Sequence, residues 1–304
     1  MKKIAVISAI LAGVVLWAAM PSFSELTIPL SSDPEPEAVS EPSPEGDRPP
    51  KPGDCPDQDD ETFAKENRRN RVYIISSEFR IGPNTGNKEE DDKRPKVQVT
   101  DFFIDKYEVT ARKFRKFVND TGRRIPSDLR SQFDQDLEYP ICFVSWRDAD
   151  EYCRWAGGRL PTSAEWESAA RARTDTKWHF GDDESQVRKY GWVRGETDLL
   201  KEHRVGQLQP NQNGLYDMVG NKEEWVADWA FPGLPEYKPL LNPKGPDSGK
   251  YRVTRGGSHL LFPHYSESGV MGDRKPNERG LGIGFRCAYD SKFSPGKLKK
   301  RKGR

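Results

Sequence analysis

Several signatures of catalytic and nucleotide-binding proteins are missing from this chain of 304 residues. It contains no GxGxxG phrase, no GxxxxGK phrase followed by Ser or Thr, and no HExxH phrase. These absences argue against a dinucleotide-binding turn, a P-loop and a zincin-type metal site. Histidine is scarce as well, with four in the chain and no two at the spacing of metal ligands on one helix. An iron or zinc centre built from several histidines is therefore poorly supported.

An excess of either charge is also missing. The chain has 49 Lys and Arg against 48 Asp and Glu, a formal net charge of +1. This balance gives no electrostatic reason to expect a nucleic-acid partner. Glycine, proline and aromatic residues are abundant, which indicates a loop-rich fold fixed by aromatic side chains rather than a helical bundle.

The N-terminus has the pattern of an export signal. MKK supplies the positive region, residues 4–20 an apolar core and PSFSE the polar end, so we expect a signal peptide over residues 1–24. The apolar core has 17 residues, the lower limit for a membrane span, and an uncleaved N-terminal membrane anchor is the alternative. In both cases we expect the remaining chain to be periplasmic or secreted.

Three further segments follow the signal. Residues 25–69 are rich in proline and acidic side chains and poor in apolar ones, which predicts a disordered tether. Residues 70–290 carry the patterns of a folded domain, and residues 291–304 form a basic tail. We expect this tail to be a solvated end, with contact to an acidic surface or anionic lipid as the alternative.

The folded segment mixes strand and helix patterns. Residues 71–82 and 96–109 are strand-like, and the second is long enough for a pair of strands. Helices are predicted where an N-cap residue precedes an apolar pattern of helical period. These caps are Thr110, Ser145 with Asp148, and Thr162 with Glu165.

The four cysteines are widely spaced and form no CxxC pair. They are Cys55, Cys142, Cys153 and Cys287. Zinc sites use close ligand pairs, so a zinc site is not indicated. In an oxidising compartment two disulfides are expected, and buried thiols are the alternative for one or more of the cysteines.

Five phrases, in this order along the chain, resemble one family. They are FFIDKYEVTARKF at 102–114, YPICFVSWRDADEYCRWAGGRLPTSAEWESAARA at 139–172, VGQLQPNQNGLYDMVGNKEEWVADW at 205–229, RVTRGGSH at 252–259 and GIGFRC at 282–287. Over about residues 71–290 the chain resembles the formylglycine-generating, or sulfatase-modifying factor, family. The resemblance implies a single α+β domain with the formylglycine-generating-enzyme fold, C-type-lectin-like, with little regular secondary structure.

The GLYDMVGN phrase combines turn residues with hard oxygen donors. Asp217 and Glu224 carry carboxylates around one turn, which is the ligand chemistry that Ca²⁺ prefers. The resemblance places a structural calcium on Asp217, Met218, Gly220, Lys222 and Glu224. The alternative is that the two carboxylates only cap turns.

The resemblance also pairs Cys153 with Cys287 as a disulfide. A second bridge, from Cys55 to Cys142, would clamp the tether to the domain. A buried Cys142 thiol is the alternative, because this residue lies in an apolar run.

The family's chemistry uses two cysteines after the GGS phrase, which bind copper as soft thiolates and support oxidation of a cysteine in a client sulfatase. Here these positions are Leu261 and Ser266, and Met271 stands at a further family cysteine. Leucine cannot bind a metal, and a serine hydroxyl is a poor ligand for copper(I). We therefore expect neither copper nor formylglycine generation by the family's mechanism.

Other polar residues remain around the altered positions. Ser258 and Arg274 stand at matching places, and Arg274 is suited to a ligand carboxylate or phosphate or to a structural salt bridge. His259 and His264 flank the altered positions and are the first candidates for acid–base chemistry, with Glu223 as their carboxylate partner. The alternative is that His259 packs where the family has an aromatic residue.

Three functions are to be considered for a chain with these features. The missing thiols, the acidic tether and the basic tail favour an exported, non-catalytic binding or accessory protein that partners an envelope or secretion machine or binds a small ligand. The second function is a periplasmic oxidoreductase of altered chemistry, similar to pyoverdine-maturation oxidases. The third, an iron oxygenase similar to the family's sulfoxide synthases, lacks the histidines that its centre requires. We expect no membrane contact apart from an uncleaved signal or the basic tail.

The first two functions differ in what they demand of the site. An enzyme should bring His259, His264, Glu223 and Arg274 together in one concave site within hydrogen-bond reach. A binding protein is free to bury or scatter them.

Overall fold

Short strands in three small sheets, rather than one continuous sheet, organise the fold. The computed structural model describes residues 60–195, 201–230 and 240–291. Within these ranges the strands are β1 Arg71–Ile74, β2 Ser77–Arg80, β3 Lys96–Val99, β4 Phe102–Asp105, β5 Glu223–Trp229, β6 Arg252–Arg255, β7 Met271–Arg274, β8 Ile283–Gly284 and β9 Ala288–Asp290. Their orders are β1-β4-β9, β2-β3 and β7-β6-β5-β8.

The strand pairing ties the start of the domain to its end. β4 is paired antiparallel with β1 on one side and with β9 on the other, so that Phe103 lies opposite both Tyr73 and Tyr289. The third sheet is antiparallel except for β8, which runs parallel to β5 and places Gly284 opposite Glu224. Most of the sites discussed below lie on this third sheet or on the loops beside it.

Helices fill the connections between the strands. They are α1 Asp60–Arg69, α2 Lys88–Asp91, α3 Ala111–Thr121, α4 Ser127–Arg130, α5 Trp146–Trp155 and α6 Ser163–Arg171, with 3-10 turns at Ser131–Asp134, Glu184–Lys189 and Pro263–Ser266. The predicted caps are confirmed. Thr110 accepts from the amide of Lys113, and both capping boxes are complete at α5 and α6. Helix α3 ends at Gly122, whose φ of 64° is the left-handed conformation that glycine adopts most readily.

Aromatic side chains form the core between α3, α5 and the segment after β8. The Phe114 ring stacks on Tyr152 at 5.7 Å, and Tyr152 meets Phe285 edge-on at 5.3 Å. Burial of each such side chain stabilises the fold by about 1.5–3 kcal/mol relative to leaving it exposed. A second core lies between α6 and the strands, where Trp166 and Val226 are fully buried. The described residues thus form a single α+β domain with sparse secondary structure, as the resemblance implied.

A buried ion pair joins β5 to the segment between β8 and β9. Arg286 donates to both carboxylate oxygens of Glu224, at 2.7 Å from Nη2 to Oε1 and 2.8 Å from Nε to Oε2. Trp166 adds a 2.8 Å bond from Nε1 to Oε2. Both charged side chains have no exposed surface. Such a pair is costly to break, because either partner left alone is a buried, uncompensated charge.

The expected disulfide is present between Cys153 of α5 and Cys287, with Cα atoms 5.5 Å apart. It closes a loop with a sequence separation of 134 residues. In the chain-entropy model a loop of that length stabilises the folded state by about 5 kcal/mol.

Cys142 is a buried free thiol. Burial raises its pKa to about 12, and its Sγ lies 3.1 Å from Oε1 of Gln132. A buried Cys142 thiol is the alternative that the sequence offered to a bridge with Cys55. Cys55 itself lies outside the described residues.

Two boundaries differ from the sequence predictions. Helix α1 occupies residues 60–69, where the tether was expected to continue, because Phe63 provides an apolar anchor that packs 5.8 Å from the Trp155 ring. The single strand expected over residues 71–82 is divided into β1 and β2, since these pair with different partners, β4 and β3.

The predicted signal peptide, most of the tether and nearly all of the basic tail lie outside the described residues. Among the residues that are described, no helix has the length and apolar character needed to cross a membrane.

Replacing Arg286 with Met should lower the free energy of unfolding by about 3–5 kcal/mol, because Glu224 would be left buried without its counter-charge. Urea denaturation followed by tryptophan fluorescence measures this change. Lys93→Met is the matched control, since its ion pair with Glu89 is solvent-exposed and its loss should change stability little. An Arg286→Met protein as stable as the wild type would contradict the assigned role of the pair.

Candidate functional site

Asn221 is the centre of the loop region beside the third sheet. It follows Gly220 in the GLYDMVGN phrase, is fully buried and has a φ of 56°, a left-handed conformation that asparagine tolerates better than most residues. Its backbone amide donates to the carbonyl of Trp192 at 2.7 Å. Its own carbonyl accepts from the amide of His259 at 3.1 Å and from the ring Nδ1 of His259 at 2.7 Å.

The Asn221 side chain extends this network. Its Oδ1 accepts from the amide of His203 at 3.1 Å, and its Nδ2 donates to the carboxylate of Glu108 at 2.7 Å. One asparagine therefore holds three segments of chain, those of Trp192, His203 and His259, in fixed relative positions.

These three side chains line a cavity of about 630 Å³. This volume is within the range of ligand pockets, roughly 300–1,000 Å³. Among the residues that the structure describes, the charged and aromatic ones of the lining are Glu184, Arg188, Trp192, Arg194, Lys201, His203, His259 and Phe262. Three cationic side chains thus face one acidic side chain, together with two aromatic rings and two imidazoles.

His259 presents a hydrogen-bond acceptor. Its side chain is buried, and because a carbonyl accepts from Nδ1, the proton is assigned to Nδ1. Burial lowers the pKa of His259 to about 4, so the ring is neutral at pH 7 and Nε2 carries a lone pair. Nε2 is buried and has no hydrogen-bond partner within the described part of the chain.

Trp192, which lines the same cavity, carries a hydrogen-bond donor on its ring. Its ring stacks on His203 with centroids 3.5 Å apart and planes 11° from parallel. Its Nε1 is also buried without a hydrogen-bond partner among the described residues. Buried polar groups are normally satisfied, so the Trp192 donor and the His259 acceptor are two exceptions among the described residues.

Glu223 does not partner a histidine, and that expectation is wrong. Its Oε2 accepts from Nε and Nη2 of Arg274 at 2.9 and 2.7 Å, and its Oε1 accepts from the Thr254 hydroxyl. Arg274 also donates to Glu278 at 2.6 Å. The adjacency of β5, β6 and β7 explains this arrangement, because it brings Glu223, Thr254 and Arg274 together on one sheet. Arg274 therefore forms the structural salt bridge.

The other sequence candidates are dispersed. His264 is exposed and packs against Tyr265 at 4.2 Å, and it is not among the residues that line the cavity. Ser258 is buried and its Oγ accepts from the amide of Leu260 at 3.3 Å. Of the five candidates, His259 alone lines the cavity within the described chain.

Leu261 and Ser266, which stand where the family has cysteines, form hydrogen bonds that hold the loop at 256–268 in place. The carbonyl of Leu261 accepts from the amide of Arg194 at 2.8 Å. The Ser266 hydroxyl donates to the carbonyl of Pro263 at 2.6 Å and accepts from Nε1 of Trp178 at 3.3 Å. Both residues thus have structural partners.

Three buried carboxylates lie around the expected calcium position: Glu108, Asp217 and Glu224. Burial raises the pKa of Asp217 to about 6, and burial followed by the charges of the other two raises that of Glu108. Asp217 Oδ2 accepts from the amide of Gly206 at 2.7 Å, whereas Oδ1 is buried with no hydrogen-bond partner in the described chain. A carboxylate oxygen without a hydrogen-bond partner is the kind of ligand that a hard cation such as Ca²⁺ prefers.

The remaining expected ligands fit less well. Both oxygens of Glu224 are taken by Arg286 and Trp166, and the Lys222 side chain is ion-paired with Glu202. Met218, Gly220 and Lys222 would contribute only carbonyl oxygens. Across the described ranges, no cluster of three His, Cys, Asp or Glu side chains is arranged to hold a metal. Calcium therefore stays a prediction that depends on Asp217.

Calcium chloride at 1 mM should raise the thermal unfolding midpoint by a few degrees relative to a chelator, since a ligand that binds only the folded state stabilises it. Asp217→Asn should abolish that rise. In chelator the variant should be at least as stable as the wild type at pH 7, because the raised pKa of Asp217 means that its ionisation destabilises the fold as the pH rises through about 6. Asp136→Asn, a carboxylate elsewhere, is the control. Equal midpoints with and without calcium would refute the site.

Comparison with known proteins places this geometry in a family. The model of the sulfatase-modifying factor enzyme 1-like domain matches residues 57–291. The formylglycine-generating enzyme of Streptomyces coelicolor is 35% identical over 187 residues, covering 57% of this chain and 60% of that protein. The enzyme of Bos taurus is 28% identical over 278 residues, covering 72% and 74%.

Solved structures agree on the fold. PvdO from Pseudomonas aeruginosa superimposes with a TM-score of 0.62 at 26% identity, covering 73% of this chain and 94% of that one. Treponema denticola variable protein 1 gives a TM-score of 0.60 at 24% identity, covering 73% and 95%.

Proposed function

The chain belongs to the sulfatase-modifying factor family, and we propose that it is an exported, non-catalytic binding or accessory protein of that family, which partners an envelope or secretion machine. The observation that carries this proposal is the pairing of Glu223 with Arg274 and Thr254. Glu223 is thus held in an internal ion pair, and its hydrogen bonds within the described chain do not include His259, so it is not placed as the catalytic partner of that imidazole.

The composition of the loop at 256–268 supports the same proposal. Leu261 and Ser266 stand where the family's chemistry would need two thiolates, and each has a structural partner instead. Copper(I) is a soft ion that requires soft ligands, so these residues provide no route to its oxidative chemistry.

A periplasmic oxidoreductase of altered chemistry is the second candidate. The likeness to PvdO favours it, and so does the presence of two imidazoles, His203 and His259, in one cavity. It is ranked second because His259 has a pKa near 4, which leaves it a poor base for proton transfer at neutral pH.

The purified mature chain should form no aldehyde on a cysteine peptide derived from a sulfatase, in the presence of copper(I) and oxygen, because Leu261 and Ser266 cannot hold the metal. Mass spectrometry of the peptide measures the product. The Streptomyces coelicolor enzyme, assayed in parallel, is the positive control. Aldehyde formation above the protein-free blank would contradict the proposal.

Immobilised mature chain should retain a specific protein from an envelope extract, and Glu223→Gln should retain the same protein to the same extent, because Glu223 lies in an internal ion pair rather than in the cavity. Quantitative mass spectrometry of the eluates measures retention, with thermal unfolding used to confirm that the variant is folded. The outcome that favours the oxidoreductase is retention of a small molecule that the wild type alters chemically, with no protein retained.

A further inference from the structure

We propose that the outer edge of strand β1 pairs with the same edge of a second copy of this chain. The two β1 strands would lie antiparallel around a twofold axis, with Tyr73 of one copy opposite Tyr73 of the other. The two β1-β4-β9 sheets would then form one sheet of six strands, three from each copy. This inference goes beyond the proposed function and does not depend on it.

The pairing of β1 with β4 fixes which backbone groups of β1 face its neighbour. Residues of an antiparallel strand point their N–H and C=O groups alternately to one side and to the other. The amide of Lys106 donates to the carbonyl of Asn70 at 2.7 Å, in the same register as the strand pair. Val72 and Ile74, two and four positions after Asn70, therefore face β4 as well.

The alternate backbone groups of β1 face away from β4. They belong to Arg71, Tyr73 and Ile75, and within the described chain they have no hydrogen-bond partner. Tyr73 is 41% exposed and Ile75 is 53% exposed, so this edge is open to solvent. A row of unpaired N–H and C=O groups on an open edge is a template for another extended strand.

The usual protection of an edge strand is missing from β1. Edge strands are normally blocked by lysine, proline, a bulge or an inward-pointing charge. The segment from Arg71 to Ser76 has one charged residue and no proline. The Arg71 guanidinium lies 3.4 Å from the centroid of the Tyr289 ring of β9, and its Nη2 donates to the carbonyl of Ala156 at 3.3 Å. Its charge is therefore held by its own domain and does not block the edge.

A second copy fits this edge because β1 complements itself. Antiparallel pairing centred on Tyr73 places Arg71 of each copy opposite Ile75 of the other. Each outward-facing residue then lies opposite an outward-facing residue, so that every such pair exchanges two hydrogen bonds. Like charges directly opposite one another destabilise a strand pair, and this register brings none together. The interface is isologous, as a twofold dimer requires.

The aromatic side chains of the sheet agree with the same register. The Tyr73 ring lies 5.1 Å from the Phe103 ring, and the two residues are opposite one another on β1 and β4. In the dimer the two Tyr73 rings would lie side by side between two Phe103 rings. Cross-strand aromatic pairs of this kind stabilise a sheet.

Charged residues at the two ends of β1 are complementary as well. Arg68 and Arg69 immediately precede β1, are exposed and form no ion pair with any described residue. Asp101 lies at the other end of the strand, where its carboxylate accepts from the amide of Ser76 at 2.6 Å. Antiparallel pairing brings the start of one β1 toward the end of the other, and thus the arginines of one copy toward the acidic end of its neighbour.

The test is the mass of the full mature chain, measured by sedimentation velocity from micromolar to millimolar concentration, where a monomer–dimer equilibrium is expected. Ile75→Lys should raise the dissociation constant of the dimer by about tenfold or more, because it places a charged side chain at both ends of the interface. Leu281→Lys is the matched control, since Leu281 is also exposed (39%) and lies outside β1. It should leave the constant unchanged, and thermal unfolding confirms that both variants are folded.

Disulfide trapping tests the register. In a Cys55→Ser background, Tyr73→Cys should form a covalent dimer under mild oxidation, since Cα atoms of an opposite, hydrogen-bonded pair lie about 5.5 Å apart, within the span of a disulfide. Ile75→Cys should not, because the register separates the two copies of residue 75 by about 13 Å along the strands. Non-reducing electrophoresis measures the covalent dimer.

A chain that stays monomeric over the whole concentration range would overturn the proposal. So would a dimer that Ile75→Lys leaves unchanged, or one that Leu281→Lys weakens to the same extent. Trapping by Ile75→Cys as readily as by Tyr73→Cys would refute the register. If the amides of Tyr73 and Ile75 become protected from hydrogen exchange only when an envelope extract is added, the edge binds a strand of another protein and the assignment to a second copy is wrong.

Discussion

The hydrogen bonds of Asn221 are the constraint on which the cavity depends. A single buried side chain and its own backbone hold Trp192, His203 and His259, which come from three separate parts of the chain. The left-handed φ at Asn221 turns its amide and carbonyl toward different neighbours. Any other residue would either strain the backbone or leave several buried polar groups unpaired, and each such group costs about 1–3 kcal/mol.

Charge buried beneath this loop holds it in place. Glu108 accepts from Asn221 and from the amide of Lys222, and it lies beside the Glu224–Arg286 pair. The net contribution of such buried charges to stability is small compared with the cost of breaking them, because their desolvation offsets most of the attraction. The Cys153–Cys287 disulfide adjoins Arg286, so the covalent and the ionic links reinforce one another. The cavity therefore lies over buried, hydrogen-bonded residues, whereas Arg194, Lys201 and Phe262 of its lining are exposed.

The local rules of the sequence predicted helices α3, α5 and α6. The caps at Thr110, Ser145 and Thr162 depend on residues three positions apart, and such patterns are visible without knowledge of the fold. The family resemblance supplied the fold and the disulfide, which no local pattern specifies. Helix α1 was missed because its apolar anchor, Phe63, is isolated in a polar segment and gains its partner Trp155 only in the folded chain.

The site was less accessible from the sequence. Glu223 and Arg274 are 51 positions apart and meet because β6 pairs with both of their strands, β5 and β7. Trp192 and His203 belong to no motif, and their role depends on hydrogen bonds to Asn221 that span the loop. The sequence places His259 beside the altered positions, but the hydrogen bond from its Nδ1 to a carbonyl is visible only in the structure.

The central claim is that the hydrogen bonds of Asn221 hold the segments of Trp192, His203 and His259 in place. The most direct measurement is the ¹H–¹⁵N spectrum of the indole groups of the chain's eight tryptophans, compared between the wild type and Asn221→Gly. Glycine tolerates the left-handed φ at this position and removes only the side chain. The Trp192 signal is assigned by its loss in Trp192→Phe. This account predicts that the Trp192 signal shifts or broadens in Asn221→Gly, because His203 is released from Asn221 and its ring stacks on Trp192, with little change at the buried Trp166 and Trp225. An unchanged Trp192 signal would contradict it.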